Sequence, residues 1–261
     1  MIKKRIDVSI NRGKNIGKVL IITEGKDPEI KLLKKIFNDI LDYDIITKAN
    51  DENFMEFKSK TDNYSRVFVV QCPHSNIISI DQDQDKLEII YLDLLKKYQS
   101  TIDNAATYYI FDRDRESNTY NNTLSQLRKY VNAREGTEFS EAGMLLLSYP
   151  SIEAYEAIID GNKCQYFCDA KEAKKRMKYF DINNISEEDL IQSCKIIVGK
   201  VISIIKRNIE DKDYDNLLDI NLSVFNYEED LFINNSCYYS LSLIIFMLLD
   251  LNILEISNDI I

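Results

Sequence analysis

Histidine is almost missing from this chain: His74, in QCPHSN, stands alone. Ser-His-Asp and Cys-His catalysis both need a positioned imidazole, so neither has support here. His74 follows an expected strand and could face a ligand edge, but a surface or core role accounts for it. No cysteines have the C-x-x-C spacing, and Cys72, Cys164, Cys168, Cys194 and Cys237 are odd in number. Cys164 and Cys168 could share a helix face, yet two thiols without a histidine make a poor zinc site. Free thiols in a reducing compartment are the simpler account. Long apolar runs are also lacking: LSLIIFMLL at 241–249 stops at Asp250, well short of the roughly 20 residues a membrane helix requires. It reads as a buried helix and leaves a partner or homodimer contact open. The opening MIKKRIDVSINRGKNIGK has charge but no apolar stretch with a cleavage site, so a secretory signal is not visible. A cytoplasmic chain without membrane contact is expected.

Two further absences concern phosphate and partners. RGKNIGK (12–18) has three residues between its glycines, is followed by Val19 and precedes a strand. A phosphate loop joins strand to helix with four residues between its glycines, so the chain carries no ATPase module. Basic excess is missing too, with a formal net charge of −10 and a pI near 4.8. A protein that coats nucleic acid through a broad basic face is thereby disfavoured. An acidic enzyme that holds a polyanion through cations and a local basic strip is not. Lys171, Lys174, Lys175, Arg176 and Lys178 could form such a strip, or simply a solvated helix face.

What is present is enough for a proper core: 261 residues, 45% hydrophobic and 29% charged. From Lys18 onward, β-branched runs alternate with helical periodicity. The runs KVLIIT (18–23), YDIIT (43–47), RVFVVQ (66–71), ATYYIF (106–111) and GMLLLS (143–148) predict strands. Segments 28–41, 52–60, 86–98 and 122–132 carry apolar residues at three- and four-residue intervals and predict helices. Such alternation predicts an α/β fold, a parallel sheet flanked by helices. Beyond Ile159 the pattern turns helical, at 170–180, at 190–210 with Ser186 as cap and acids in the first turn, and at 237–254. The expected organisation is an N-terminal extension at 1–17, an α/β domain at 18–159 and an all-helical part at 160–261. With seven glycines and three prolines, no flexible linker separates them.

Two acidic elements sit at expected strand ends. In VLIITEGKDPEIKLL (19–33) the first strand of the α/β part ends in Thr23-Glu24-Gly25. Ligands of open α/β sheets bind at this carboxyl edge, and Gly25 permits a tight turn there. Asp27 suits a helix cap with Pro28 at the first helical position, and it also stands near enough in sequence to support a metal site. In YYIFDRDRES (108–117), Asp112 and Asp114 leave the end of another strand. Residues two apart in extended chain point the same way, so both carboxylates could converge on hard cations. A lone D-x-D is weak, since hairpins and helix caps also produce it.

Taken together, the E-G-x-x-D turn and the later D-x-D strand end resemble the signature of Toprim domains. The resemblance covers residues 18–156. That family includes type IA and type II topoisomerases, primases, recombination mediators and the overcoming-lysogenization-defect nucleases. It implies Glu24 as general acid/base or metal ligand, with Asp112 and Asp114 holding Mg²⁺ or Mn²⁺. SYPSIEAYEAI (148–158) is similar to the segment that places an extra acid in the nucleases of this group. Glu153 would then complete a site for two ions, with Asp27, Lys171 and Lys174 as supporting groups. The alternative for Glu153 is a first-turn acid behind a Ser151 cap, and both readings stay open.

A response-regulator receiver also gathers acids at strand ends, but it needs paired aspartates after its first strand, where this chain has Thr-Glu-Gly. Topoisomerase activity is disfavoured for want of an active-site tyrosine on a partner domain, and primase activity for want of zinc-binding and basic polymerase regions. The resemblance therefore implies a metal-dependent endonuclease acting on DNA or RNA, similar to small phage-defence effectors that work beside a separate ABC-type ATPase. Its alternative is a non-catalytic Toprim adaptor, a binding protein of the recombination-mediator kind.

Overall fold

The computed structural model describes residues 5–24, 28–46, 54–71, 86–113, 115, 119–134, 143–155, 166–167, 182–206 and 217–259. In chain order these form β1 (Arg5–Ile10), β2 (Lys18–Thr23), α1 (Glu29–Lys34) running into a π-helical turn at Lys35–Ile40, β3 (Tyr43–Ile46), β4 (Phe54–Ser59), β5 (Arg66–Gln71) and α2 (Lys86–Ile102). There follow β6 (Ala106–Asp112), α3 (Tyr120–Lys129), β7 (Val131–Asn132), β8 (Gly143–Tyr149), β9 (Tyr166–Phe167) and α4 (Glu187–Ile205). The last elements are α5 (Leu217–Asn235), β10 (Tyr238–Tyr239), β11 (Leu241–Ser242), α6 (Ile244–Asp250) and β12 (Leu254–Asp259). Two compact units result: Asn15–Leu145, and Met1–Lys14 together with Leu146–Ile261. The division falls inside β8, earlier than the boundary expected near 160. The N-terminal residues, expected to be an extension, supply β1 to the second unit.

Within Asn15–Leu145 the strands lie in the order β8-β6-β2-β5-β4-β3, with β7 also paired to β8. β2 is central, and both its neighbours, β5 and β6, run parallel to it. Its unbroken apolar run reflects cover on both faces, since Val19, Leu20, Ile21 and Ile22 are all fully buried. The sheet is mixed rather than parallel throughout, because β3–β4, β4–β5 and β7–β8 are antiparallel.

Segment 52–60, expected as a helix, contains strand β4 instead. Phe54 and Phe57 are three apart, which mimics a helical stripe. On a strand, positions three apart point to opposite faces. Accordingly Phe54 stacks on Tyr98 of α2 at 4.4 Å, while Phe57 meets Phe37 of the π-helical turn at 5.6 Å. The two helical elements thus cover opposite faces. Glu56, buried on the same face as Phe54, pairs diagonally across the β4–β5 ladder with Arg66 at 3.2 Å.

In the second unit, β1 and β12 form an antiparallel pair from Arg5↔Asp259 to Ile10↔Leu254. α4 turns Leu190, Cys194, Ile197 and Val201 inward at helical spacing. Gly199 faces β1, where an added Cβ would stand 3.7 Å from Ile6 Cδ1, an ordinary van der Waals contact. Arg12 pairs with Glu187, and Lys195 with Asp7 at 3.3 Å, along the same β1–α4 contact. The last residues of β8 pair with β11, Tyr149 opposite Leu241 and Ser148 opposite Ser242, where the two serine hydroxyls share a hydrogen bond of 2.8 Å. α6 buries every residue from Ile244 to Leu249, in agreement with the core role expected for 241–249. Among the described residues no helix is long and apolar enough to cross a membrane.

The expectation that everything after 160 is helical holds for α4, α5 and α6 but not for β9 to β12. Chain 254–259 is a strand because β1, far away in sequence, offers it a ladder. Ser186 caps α4 as expected. Its hydroxyl accepts the Asp189 N–H at 3.2 Å, and the Asp189 carboxylate accepts the Ser186 N–H at 2.9 Å. This reciprocal box satisfies two otherwise orphaned donors. Ser186→Ala is expected to cost about 1 kcal/mol, read as a lower denaturation midpoint at unchanged slope. An unchanged midpoint would show that the box is not stabilising.

Candidate functional site

The site is built at the carboxyl edge of the two central parallel strands. Thr23 of β2 lies opposite Ile110 of β6, so Glu24 and Asp112 leave the sheet side by side. The Glu24 N–H continues the ladder to the Ile110 carbonyl at 3.3 Å. Its carboxylate then turns across the gap, where Oε2 accepts the Asp112 backbone N–H at 2.8 Å. That bond fixes the Glu24 side chain against the tip of β6, and both acids are half-buried. A carboxylate accepting a backbone N–H is a charge-assisted contact, stronger than a neutral one. It also supplies an acceptor to an N–H at the frayed end of a strand.

The expected acids are therefore brought together as far as Glu24 and Asp112. Asp114, Asp27, Lys171 and Lys174 lie outside the described residues, as do His74, Cys72, Cys164 and Cys168. Glu153 falls on a short 3₁₀ turn, Ile152–Tyr155, behind the buried Ser151, in the other compact unit; its side chain is also outside the described set. α1 begins at Glu29 with Pro28 in the cap position, one residue later than expected. Among the described residues no group of three or more His, Cys, Asp or Glu side chains could hold a metal ion. What Glu24 and Asp112 offer is a pair of hard oxygen donors at one sheet edge, which suits Mg²⁺ or Mn²⁺ rather than a soft metal.

Two charged residues near these acids in sequence escaped the motif reading. Arg113, between the two aspartates, is 1% exposed and is the largest fully buried side chain described. Arginine is rarely buried so completely. Glu29 at the start of α1 is buried as well. Neither position has a required identity in the E-G-x-x-D or D-x-D patterns, so only burial reveals them. The described cysteines do not contribute: Cys194 lies in the core of the other unit, where burial pushes its thiol up to about 12 and keeps it un-ionised, and Cys237 is half-buried with no disulfide.

The chain matches no family model, no curated protein and no solved structure. What can be argued about function therefore rests on the residues themselves.

Proposed function

We propose that the chain is a divalent-metal-dependent endonuclease with a Toprim-like catalytic domain, an effector of phage defence that works beside an ABC-type ATPase. The observation that carries this reading is the Glu24–Asp112 contact at the carboxyl ends of β2 and β6. Acids drawn from distant parts of the chain to the carboxyl edge of parallel strands, with a backbone bond orienting one of them, stand where open α/β sheets bind their ligands.

In this reading Asp112 and Asp114 would hold the cations. A bound Mg²⁺ or Mn²⁺ supplies Lewis-acid polarisation of the scissile phosphate and a lowered water pKa. Glu24 accepts the proton of the attacking water, and its bond to the Asp112 N–H keeps it aimed at the edge. Nucleic acid, DNA or RNA, is the substrate.

The test is cleavage of plasmid DNA and of structured RNA with Mg²⁺ or Mn²⁺, with the ATPase partner supplied. The native chain should cut at least one substrate. Asp112→Ala should lose at least about a hundredfold, since even an outer-shell partner of a metal site is worth up to that much. If neither protein cuts either substrate, the non-catalytic adaptor reading replaces this one.

A further inference from the structure

Away from the acidic edge, the second unit contains a carboxyl group that the nuclease reading does not use. Glu228, in the middle of α5, is fully buried. Its Oε2 accepts the backbone N–H of Tyr239 in β10 at 2.9 Å, while its Oε1 is buried with no hydrogen-bond partner among the described residues. β10 is one strand of a two-stranded ribbon, Tyr238 opposite Phe167 and Tyr239 opposite Tyr166. Glu228 therefore caps an N–H of this ribbon with a single oxygen.

Among the described residues no cation forms an ion pair with this carboxyl. Lys200 of α4 is the basic group that faces it, yet the Lys200 ammonium sits 3.4 Å from the centre of the Tyr239 ring and donates to the Tyr227 hydroxyl at 3.2 Å. A second ring, that of Tyr227, lies 4.9 Å from the same ammonium. Glu229, next along α5 and also buried, adds a like charge. From β10 the facing groups are Tyr239 and the buried Tyr238, which packs on Phe232 at 4.8 Å.

We propose that Glu228 is a proton-operated latch between α5 and β10, holding the strand while its carboxyl is neutral and releasing it on ionisation. Ionisation strengthens the bond to the Tyr239 N–H, but the cost of burying a carboxylate with one bare oxygen is larger, so the charged form is the one the closed site disfavours. Ionisation leaves two ways out, and both loosen β10. Water can enter to solvate Oε1, which separates strand from helix. Alternatively Lys200 swings to pair with the carboxylate and abandons the Tyr239 ring.

Burial pushes the Glu228 carboxyl up to about 8, against the pull of the Tyr239 N–H and Lys200 and with the help of Glu229. The native state thus keeps a proton that the unfolded chain releases near 4.5. Stability from this group is complete below that value and is lost as pH rises to about 8.

The experiment is residue-resolved hydrogen exchange of the full chain, corrected for the intrinsic rate, at about pH 6 and about pH 9. Protection of the Tyr239 amide is expected to fall about a hundredfold in the native chain, because a single proton held by the closed state and released on opening shifts the opening equilibrium about tenfold for each pH unit between about 6 and the midpoint near 8. In Glu228→Gln, which keeps an oxygen acceptor and cannot ionise, protection should stay the same. Equal protection at both pH values in the native chain, or an equal fall in the variant, overturns the latch. Should Glu228→Gln fail to fold, carboxyl carbon chemical shifts of the native chain decide: a Glu228 midpoint above about 7 supports the proposal and one below it refutes it.

Discussion

Glu24→Gln is expected to lower nucleic-acid cleavage by roughly 10²–10⁴-fold, the range for loss of a positioned acid/base, while leaving the fold intact. The amide keeps a carbonyl oxygen where Glu24 Oε2 receives the Asp112 N–H, so the tip of β6 stays capped. Only the charge and the proton-accepting capacity are removed. Thermal stability should change by no more than about 2 °C, as for half-exposed substitutions that preserve a hydrogen bond. Glu24→Ala separates the two roles, because it also removes the acceptor and should cost about 1 kcal/mol more. Cleavage by Glu24→Gln at the native rate would remove Glu24 from the chemistry and leave it as a strand-end cap.

The largest stability effect should come from a position with no polar group. Gly143 opens β8 with φ +140°, a backbone conformation that side chains rarely adopt. A Cβ there would stand 2.4 Å from Tyr109 Cε2 and 3.1 Å from Cδ2. The Tyr109 ring is fully buried and rests edge-on against Tyr130 at 5.0 Å, so it has nowhere simple to go. Gly143→Ala combines backbone strain with overpacking and should destabilise by roughly 2–4 kcal/mol, a drop of about 5–12 °C in Tm. Combining it with Tyr109→Leu tests the cause. The double variant should be more stable than the sum of the two single losses predicts, by about 1 kcal/mol or more. Strict additivity would mean that the ring contact is not the source.

Several elements could be read from residue order because their physics is local. β2, β5, β6 and β8 are continuous apolar runs, and a run of that length bounded by polar residues has few alternatives in a two-sided sheet. The cap of α4 was legible for the same reason, since Ser186 and Asp189 lie within one helical turn of each other. α5 was not. Asn221, Glu228 and Glu229 are buried on it, so its inward face carries polar residues that break the apolar stripe a periodicity argument depends on.

At the candidate site, the motif spacing predicted that Glu24 and Asp112 share a sheet edge, and they do. The bond between the Glu24 side chain and the Asp112 backbone was not foreseeable, because no spacing rule says which carboxylate oxygen will meet which N–H.

Residue order alone determined strands β2, β5, β6 and β8 and the placement of Glu24 and Asp112 at the ends of two of them. Only tertiary structure decided that β4 is a strand, that β1 returns to pair with β12, and that Glu228 is sealed beneath Tyr239. Each of those outcomes depends on a surface supplied from elsewhere in the chain. Phe57 needs the π-helical turn, β12 needs a ladder from the N-terminus, and a buried carboxyl needs a strand to cover it. Local propensity is worth a fraction of a kcal/mol per residue, too little to outweigh the burial that such distant partners provide.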